Sequence, residues 1–269
     1  MARKSEQAKG EKAEFAWWLA ILGVSGVWFY AQVWTSEIYA QIMKVLVQGI
    51  GVTVFVTLVA YGAAAALGLG LAMMGLSKWA LARQVARLWI EVVRGVPIIV
   101  LLLYVAFVLA PMLVAGVNVV LGALGWGAVT TRDFPLMARA IIALTVAYSA
   151  FLAEIFRAGL QSVDRGQIEA SMALGLNGWQ RFRLVVFPQA FRTILPPLGN
   201  DFVAMVKDSS LVSVLGVADI TQLGKVTAAG NFRYFETYNV VALLYLTMTI
   251  GLSLVLRRIE KRLKAGAGD

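Results

Sequence analysis

The chain alternates between long apolar runs and shorter polar connections that carry most of its charge. A helix needs roughly 20 apolar residues to cross the hydrocarbon core of a bilayer. Five apolar runs approach or exceed this length, at residues 15–34, 45–76, 95–114, 135–160 and 238–256, and a sixth run of sufficient length, at 191–215, is more polar and is interrupted by prolines. The pattern therefore predicts an all-α integral membrane protein with about six transmembrane helices. Because the run at 45–76 is longer than a perpendicular span requires, we expect that helix to be tilted.

The same pattern divides the chain into four parts. We expect a polar tail at 1–14, an additional N-terminal transmembrane helix with a short amphipathic connection at 15–44, a core at 45–256 and a basic tail at 257–269. Within the core, the polar 161–188 loop lies between two apolar runs. The segments 77–94, 116–134 and 217–237 are expected to be connections outside the hydrocarbon.

The basic residues are distributed unevenly along this pattern. Eighteen of the 24 lysines and arginines lie in the two tails, in segment 77–94 and in segment 157–192. Cytoplasmic connections of membrane proteins are enriched in basic residues. We therefore predict that both termini and the 161–188 loop lie on the cytoplasmic side of the plasma (inner) membrane. The net charge of +9 does not indicate nucleic acid as a partner, because the basic residues cluster at the ends of apolar runs.

The amino-acid composition limits the kinds of chemistry that this chain can perform. Hydrophobic residues make up 60% of the chain, and it has neither cysteine nor histidine, which excludes disulfides, thiolate metal sites and imidazole catalysis. The sequence contains no GxxxxGK[ST] phosphate-binding loop. We therefore expect no cofactor or metal in this chain and no enzyme activity, and if ATP drives the protein, a partner chain must hydrolyse it.

The 161–188 loop has the local signals of a short, capped helix. Ser162 and Asp164 offer N-cap oxygens, and the ten residues after Asp164 read as a helix with Ile168, Met172 and Gly175 on one face and Glu169 beside them. Gly175 suits the left-handed conformation that ends a helix. Asn177-Gly178 predicts a turn, and residues 179–187 predict a second helical run. From these signals alone, the loop could be a solvated helix with no partner.

The loop also resembles the EAA loop of ABC importer permeases. The resemblance rests on Glu169-Ala170-Ser171, on Gly175 four positions later, and on Val185-x-Phe187-Pro188 after nine more residues. In that family this loop is the coupling helix, which seats in a groove of the cytoplasmic ATPase. The resemblance implies that the following residues contact the ATPase: Arg165, Ile168, Glu169, Ala170, Met172 and Gly175.

Ionisable residues within the apolar runs are candidates for contact with a solute. Such a side chain costs roughly 2.5 to 3.5 kcal/mol at membrane depth, so it needs a partner or a function. The ionisable candidates are Glu154, Asp201, Lys207 and Asp208, and the neighbouring polar residues Asn200, Ser209 and Ser210 complete the set. An amino acid carries a carboxylate, which Lys207 could bind, and an ammonium, which Glu154 or Asp208 could bind. The alternative is that Lys207 pairs with Asp201 or Glu154 only to neutralise charge between helices.

Further motifs resemble the polar amino acid uptake branch of these permeases. They are Arg94-Gly95-Val96-Pro97, the stretch 153–159 (AEIFRAG), the stretch 166–170 (GQIEA), Pro188-Gln189-Ala190 and Lys207-x-Ser209-Ser210-Leu211. The resemblance covers about residues 48–263. It implies a type I importer with a five-helix core, to which residues 15–34 are an addition. It further implies an assembly, embedded in membrane lipid, of two permease subunits, identical or homologous, with two ABC ATPases and an external substrate-binding protein that delivers an amino acid to the permease.

Three other functions remain open at this point. An ion-gradient-driven secondary carrier of small polar solutes would use Glu154, Asp201 and Lys207 as an ion site, although such carriers usually have an internal repeat and none is visible here. A membrane scaffold would need none of these residues for function. An ABC importer of a different small polar solute would share most of the same features.

Overall fold

The computed structural model describes residues 17–265, and in this range it contains helices and no β-strand. The helices are α1 (Trp17–Thr35), α2 (Glu37–Leu46), α3 (Gln48–Gly75), α4 (Ala80–Gly95), α5 (Ile98–Ala123, with a π-helical turn at Val105–Leu109), α6 (Leu136–Gln161), α7 (Arg165–Ala173), α8 (Gly178–Arg181), α9 (Phe187–Asp208), α10 (Ile220–Asn231) and α11 (Tyr234–Ala265). The all-α membrane architecture is therefore confirmed. The predicted tail at 1–14 lies outside the described residues, as do residues 266–269.

Four helical stretches in the described part are long and apolar enough to cross a membrane: Glu37–Gly75, Ile98–Ala123, Leu136–Gln161 and Tyr234–Arg262. Helix α9 is 22 residues long but is not among these four, and its charged residues are Arg192, Asp201, Lys207 and Asp208. Helix α1 is 19 residues long, and only part of it has described side chains. The count of six spans and the division into four parts remain predictions.

Three boundaries differ from the sequence predictions in that a helix is longer, whereas α9 ends at Asp208 instead of residue 215 and a 3₁₀ turn follows it. The amphipathic connection before residue 45 is helix α2, which leads into α3 with only Val47 between them. Helix α5 continues to Ala123 instead of ending near residue 114. Helix α11 runs through Arg257 to Ala265, so it continues into the segment predicted to be a separate tail. Length and hydropathy locate the apolar part of a helix, but not where its hydrogen bonds stop.

The centre of the fold is the contact between α3 and α6, where small residues bring the two backbones together. Ala64, Gly68 and Ala72, which recur every four residues, are buried. A Cβ at Gly68 would lie 2.9 Å from the carbonyl oxygen of Ser149, so only glycine permits this approach. The other small-residue face of α3 (Gly62, Ala66 and Gly70) is exposed in the described chain. Around the contact, the largest core cluster collects aliphatic side chains from α3, α5, α6 and α9.

Helix α4 lies in the segment that the sequence indicated only as a basic connection. It packs Ala86 and Val93 against the body of the protein, and its indole donor Trp89 Nε1 binds Ser149 Oγ of α6 at 3.0 Å. After α4, Val96 adopts an extended conformation, because a residue that precedes proline avoids the α region. Helix α5 begins at Ile98, directly after Pro97.

At the other end of α6, Arg139 joins three segments. Its guanidinium donates to the carbonyl oxygens of Phe134 (2.9 Å), Ala106 (3.1 Å) and Thr131. Ala106 belongs to the π-helical turn of α5. In the adjoining loop, hydrogen bonds from the backbone and side chain of Thr130 lower the pKa of Asp133. Arg139, a charged residue within the predicted span 135–160, is therefore a structural link that is buried and bound by three carbonyl oxygens.

Candidate functional site

Helix α7 is capped at both ends by its own sequence. The Oδ1 atom of Asp164 accepts a hydrogen bond from the Gly166 amide at 2.7 Å, which confirms Asp164 as the N-cap. Ser162 does not share this role, because its hydroxyl donates to the Gly159 carbonyl of α6. At the C-terminal end, the Leu176 amide donates to the Ser171 carbonyl at 3.1 Å and Gly175 has φ +76°. This is the glycine-dependent motif that the sequence predicted.

One side of α7 is anchored to the protein and the other is uncovered. Ser171 is buried and donates to the Ile168 carbonyl at 2.6 Å. Ile168 packs with Val163, Ala190 and other residues at the adjoining ends of α6 and α9. Glu169 and Ala170 are exposed, and Met172 is 50% exposed. Ile168 is therefore partly covered by the protein itself, whereas Met172 belongs to the uncovered side, and contact of either residue with an ATPase remains a prediction.

The segment after α7 adds an exposed aromatic row that sequence analysis missed. Asn177 and Gln180 form a reciprocal capping box that starts α8, and a π-helical turn at Phe182–Val186 leads into α9. The rings of Trp179, Phe182, Phe187 and Phe191 follow one another with centroid separations of 6.0, 5.9 and 5.6 Å. Each of these side chains is at least 38% exposed. Together with Met172 and Leu174, they give the 161–188 loop an apolar surface that the described chain leaves uncovered.

The predicted solute-contacting residues of α9 divide between two faces of the helix. Asp201 and Asp208 are seven residues apart, which places them on one face. The Tyr148 hydroxyl of α6 donates to Asp208 Oδ2 at 2.8 Å, and the Tyr61 hydroxyl of α3 donates to the Leu198 carbonyl of α9 at 2.7 Å. Tyr61 and Tyr148 were not among the predicted site residues, although both lie in the predicted membrane helices that face α9.

The remaining predicted residues of this region have different surroundings. Asn200 and Lys207, also seven residues apart, are exposed. Ser209 is buried at the point where α9 ends and a 3₁₀ turn begins, and its hydroxyl donates to the Val206 carbonyl at 2.7 Å. Ser210, the next residue, is half-buried. The structure therefore does not bring the whole predicted set to one point.

Glu154 has a partner that the sequence did not indicate. Arg94 Nη1 lies 2.7 Å from Glu154 Oε1, and its guanidinium lies 5.8 Å from the Phe151 ring centroid. Within residues 17–265, Lys207 is in no ion pair, so the alternative that Lys207 pairs with Asp201 or Glu154 is wrong. Hydropathy could not reveal the Arg94–Glu154 pair, because its members are 60 residues apart and meet only when α4 packs against α6.

Comparisons with known proteins agree on a single family. The model of the family described as "Binding-protein-dependent transport system inner membrane component" matches residues 64–265. The chain is 37% identical over 226 residues to the glutamine transport system permease protein GlnP of Escherichia coli (strain K12), which covers 82% of this chain and 94% of that protein. It is 34% identical over 231 residues to the probable amino-acid permease protein YxeN of Bacillus subtilis (strain 168), with coverages of 84% and 94%.

Solved structures show the same fold. The crystal structure of an amino acid ABC transporter with histidines matches with a TM-score of 0.69 and 34% identity, covering 83% of this chain and 96% of that chain. An inward-facing structure of the MetNI methionine ABC transporter matches with a TM-score of 0.63, 22% identity and coverages of 82% and 97%. At 22% identity, the second match shows the fold alone. With a family model that matches most of its length, the chain belongs to the inner membrane components of binding-protein-dependent transport systems.

Proposed function

We propose that this chain is the membrane-spanning permease subunit of an ATP-driven amino acid importer and that its 161–188 loop docks on a separate ATPase subunit. The observation that carries the docking role is the asymmetry of α7. Its inner side is tied to the ends of α6 and α9, while Glu169, Met172 and Leu174 are exposed. Because α7 is packed against α6 and α9, it moves together with them when a partner binds its exposed side and shifts it. Family membership favours this function over an ion-gradient-driven carrier.

The proposed cycle uses the loop to transmit a movement. Two ATPase subunits close on ATP and draw together the α7 helices of two permease subunits. The attached α6 and α9 then open the pathway toward the external substrate-binding protein. Hydrolysis in the ATPases restores the inward-facing state. ATP and the loaded binding protein must each bind one state more tightly than the other, since a ligand with equal affinity for both shifts nothing. Both termini lie in the cytoplasm in this arrangement, consistent with the distribution of basic residues.

The test of this function is reconstitution. The full chain is purified with the proteins that co-purify with it, these are identified by mass, and the complex is placed in vesicles with a labelled panel of acidic, basic and neutral amino acids. We expect uptake only with Mg-ATP and a co-purified binding protein. The chain without partners should give no uptake under either a proton or a sodium gradient. Gradient-driven uptake by the chain alone would contradict the proposal and support a secondary carrier.

The solute is proposed to pass the acidic face of α9. Asp208 and Asp201 offer carboxylates to an ammonium group, and the Tyr148 hydroxyl binds Asp208. Lys207, on the exposed face, is available to a carboxylate in the pathway between two subunits. Asn200, Ser209 and Ser210 line the same stretch of α9 and the turn that follows it. Glu154 is bound to Arg94, so it contributes to this route only if that pair opens.

We expect Asp208→Asn to lower ATP-driven uptake at subsaturating solute by about tenfold or more, because a hydrogen bond to a charged group is worth about 1.5–3 kcal/mol. The matched control is Tyr148→Phe, which removes the hydroxyl that binds Asp208 but keeps the carboxylate, and it should change uptake by less than about threefold. Uptake is measured against the amount of assembled complex. If Asp208→Asn transports normally, Asp208 has only a structural role.

A further inference from the structure

A polar cavity lies away from the acidic face of α9. It has a volume of about 390 Å³ and opens between the C-terminal end of α3, the middle of α4 and the C-terminal half of α6. The polar part of its lining consists of Arg87, Glu91, Glu154, Arg157 and Gln161, and the rest is apolar or glycine. This is the end of the bundle that the basic residues assign to the cytoplasm, immediately before the 161–188 loop begins.

The cavity lining together with Arg94, which is outside the lining but pairs with Glu154, has an excess of positive charge. Glu154 is neutralised by Arg94 at 2.7 Å. Arg157 donates to the neutral Gln161 Oε1 at 3.1 Å, and in the described part of the chain neither Arg157 nor Arg87 has a carboxylate within ion-pair distance. Glu91 is the one other carboxylate in the lining, and it is also outside any ion pair there. With Arg94 included, three guanidinium groups face two carboxylates, which leaves one positive charge.

The helix that carries Arg87 also presents an apolar surface next to the cavity. Leu81, Val85, Leu88 and Val92 follow helical spacing along α4 and are between 47% and 77% exposed. At 3.6 residues per turn, this stripe is centred about 130° around the helix from Arg87. The side of α4 that packs on the protein, with Ala86 and Val93, is a third and separate face. A charged face beside an exposed apolar stripe is typical of a helix at the lipid headgroup boundary.

We propose that this cavity binds the phosphodiester headgroup of an anionic phospholipid from the cytoplasmic leaflet, with its acyl chains along the apolar stripe of α4. Arg87 and Arg157 bind the phosphate oxygens, since guanidinium groups donate two parallel hydrogen bonds to such an anion. One monoanionic phosphodiester neutralises the residual charge of the cavity. Basic pockets between transmembrane helices on the cytoplasmic side bind lipid headgroups in this way. Because Gln161 is the last residue of α6, the bound lipid braces the base of the 161–188 loop.

The experiment titrates palmitoyl-oleoyl phosphatidylglycerol against the purified transport complex with the full chain, with bound lipid counted by native mass spectrometry. We expect one tight site per copy of this chain. Arg87→Gln with Arg157→Gln should raise the Kd for this lipid by about tenfold or more, because each basic side chain contributes about a fivefold effect near a lipid surface. The control, Arg257→Gln with Arg258→Gln, makes the same change of charge outside the cavity and should alter the Kd less than about twofold. The yield of assembled complex checks folding.

Glu91→Gln separates an anionic ligand from a zwitterionic one. Removal of this carboxylate should tighten phosphatidylglycerol binding by about fivefold. The proposal is wrong, and the cavity is a site for zwitterions, if two results are obtained together. Phosphatidylethanolamine or a free amino acid binds more tightly than phosphatidylglycerol, and Glu91→Gln weakens the binding of that zwitterionic probe. Displacement of the lipid by millimolar sn-glycerol 3-phosphate would show a free phosphate site. Equal Kd values for the cavity variant and its control, or the absence of any tight site, would also overturn the proposal.

Discussion

Glu169→Lys is expected to abolish ATP-dependent uptake and the stimulation of ATPase activity by the loaded binding protein. Glu169 is exposed on the uncovered side of α7 and is in no ion pair within the described chain. Its replacement therefore changes the stability of this chain little, since surface substitutions usually stay within about 0.5 kcal/mol. At a docked interface, the loss of a charge contact costs about 2–5 kcal/mol, so uptake should fall at least about thirtyfold.

The control for this result is Glu260→Lys, which reverses the sign of a carboxylate in α11 at the same predicted side of the membrane. It should assemble and transport nearly as well as the unaltered chain. Insertion is measured from the amount of chain in the membrane fraction, and docking from the amount of ATPase that co-purifies. If Glu169→Lys keeps normal uptake and normal ATPase recovery, the docking role of α7 is wrong.

Gly175→Val is expected to reduce uptake by about tenfold or more because it strains the backbone conformation at this position. Gly175 has φ +76°, and a Cβ added there would meet nothing within 4 Å, so the substitution causes no steric clash. An L-residue in this left-handed conformation costs about 1–2 kcal/mol, and a β-branched side chain is among the least tolerant. The strain opens the turn in which the Leu176 amide binds the Ser171 carbonyl, and α7 loses its fixed end.

Gly175→Asn is the matched test of that explanation. Asparagine adopts the left-handed conformation more readily than other non-glycine residues, so this variant should keep about half of the uptake. Loss of uptake in both variants would mean that a partner needs the bare glycine surface. Full uptake in Gly175→Val would mean that the end of α7 is not part of the coupling. The amount of ATPase that co-purifies identifies the first of these outcomes, because a side chain that blocks the contact surface also prevents the ATPase from docking.

The two variants examine different properties of one element. Glu169 tests what the exposed side of α7 contacts, and Gly175 tests whether the helix must be rigid to transmit a movement. The anchors on the inner side are Ile168, which packs with residues of α6 and α9, and Ser171, which is buried. Substitution of either anchor would disturb the permease itself, so it could not separate docking from folding.

The local structure of the 161–188 loop could be predicted closely because it depends on short-range chemistry. The N-cap at Asp164, the short helix and the left-handed Gly175 each follow from residues within a few positions of one another. The same signals could not tell which face of α7 is exposed. That depends on Val163, Ala190 and the ends of two long helices, which the tertiary fold brings beneath Ile168.

For the charged residues of the membrane helices, the sequence identified the unusual residues but not the groups that they contact. Hydropathy identified Glu154, Asp201, Lys207 and Asp208 as unusual, since any ionisable group in an apolar run needs a reason. Their partners could not be predicted, because the pairs Arg94–Glu154 and Tyr148–Asp208 each join residues 60 positions apart. The cavity that contains Arg87 and Arg157 depends likewise on α4 being a helix packed on α3 and α6 rather than a flexible connection.

By itself, the sequence determined that this chain is a helical membrane protein, and through the spacing of Glu169, Gly175 and Pro188 it identified the family. Apolar length and short-range capping are properties of consecutive residues, so they can be read directly from the chain. Only the tertiary structure decided which side of α7 is exposed, that Glu154 binds Arg94, and that α9 has an acidic face and an exposed basic one. These features arise from contacts between distant segments, whose geometry is set by the packing of whole helices against each other.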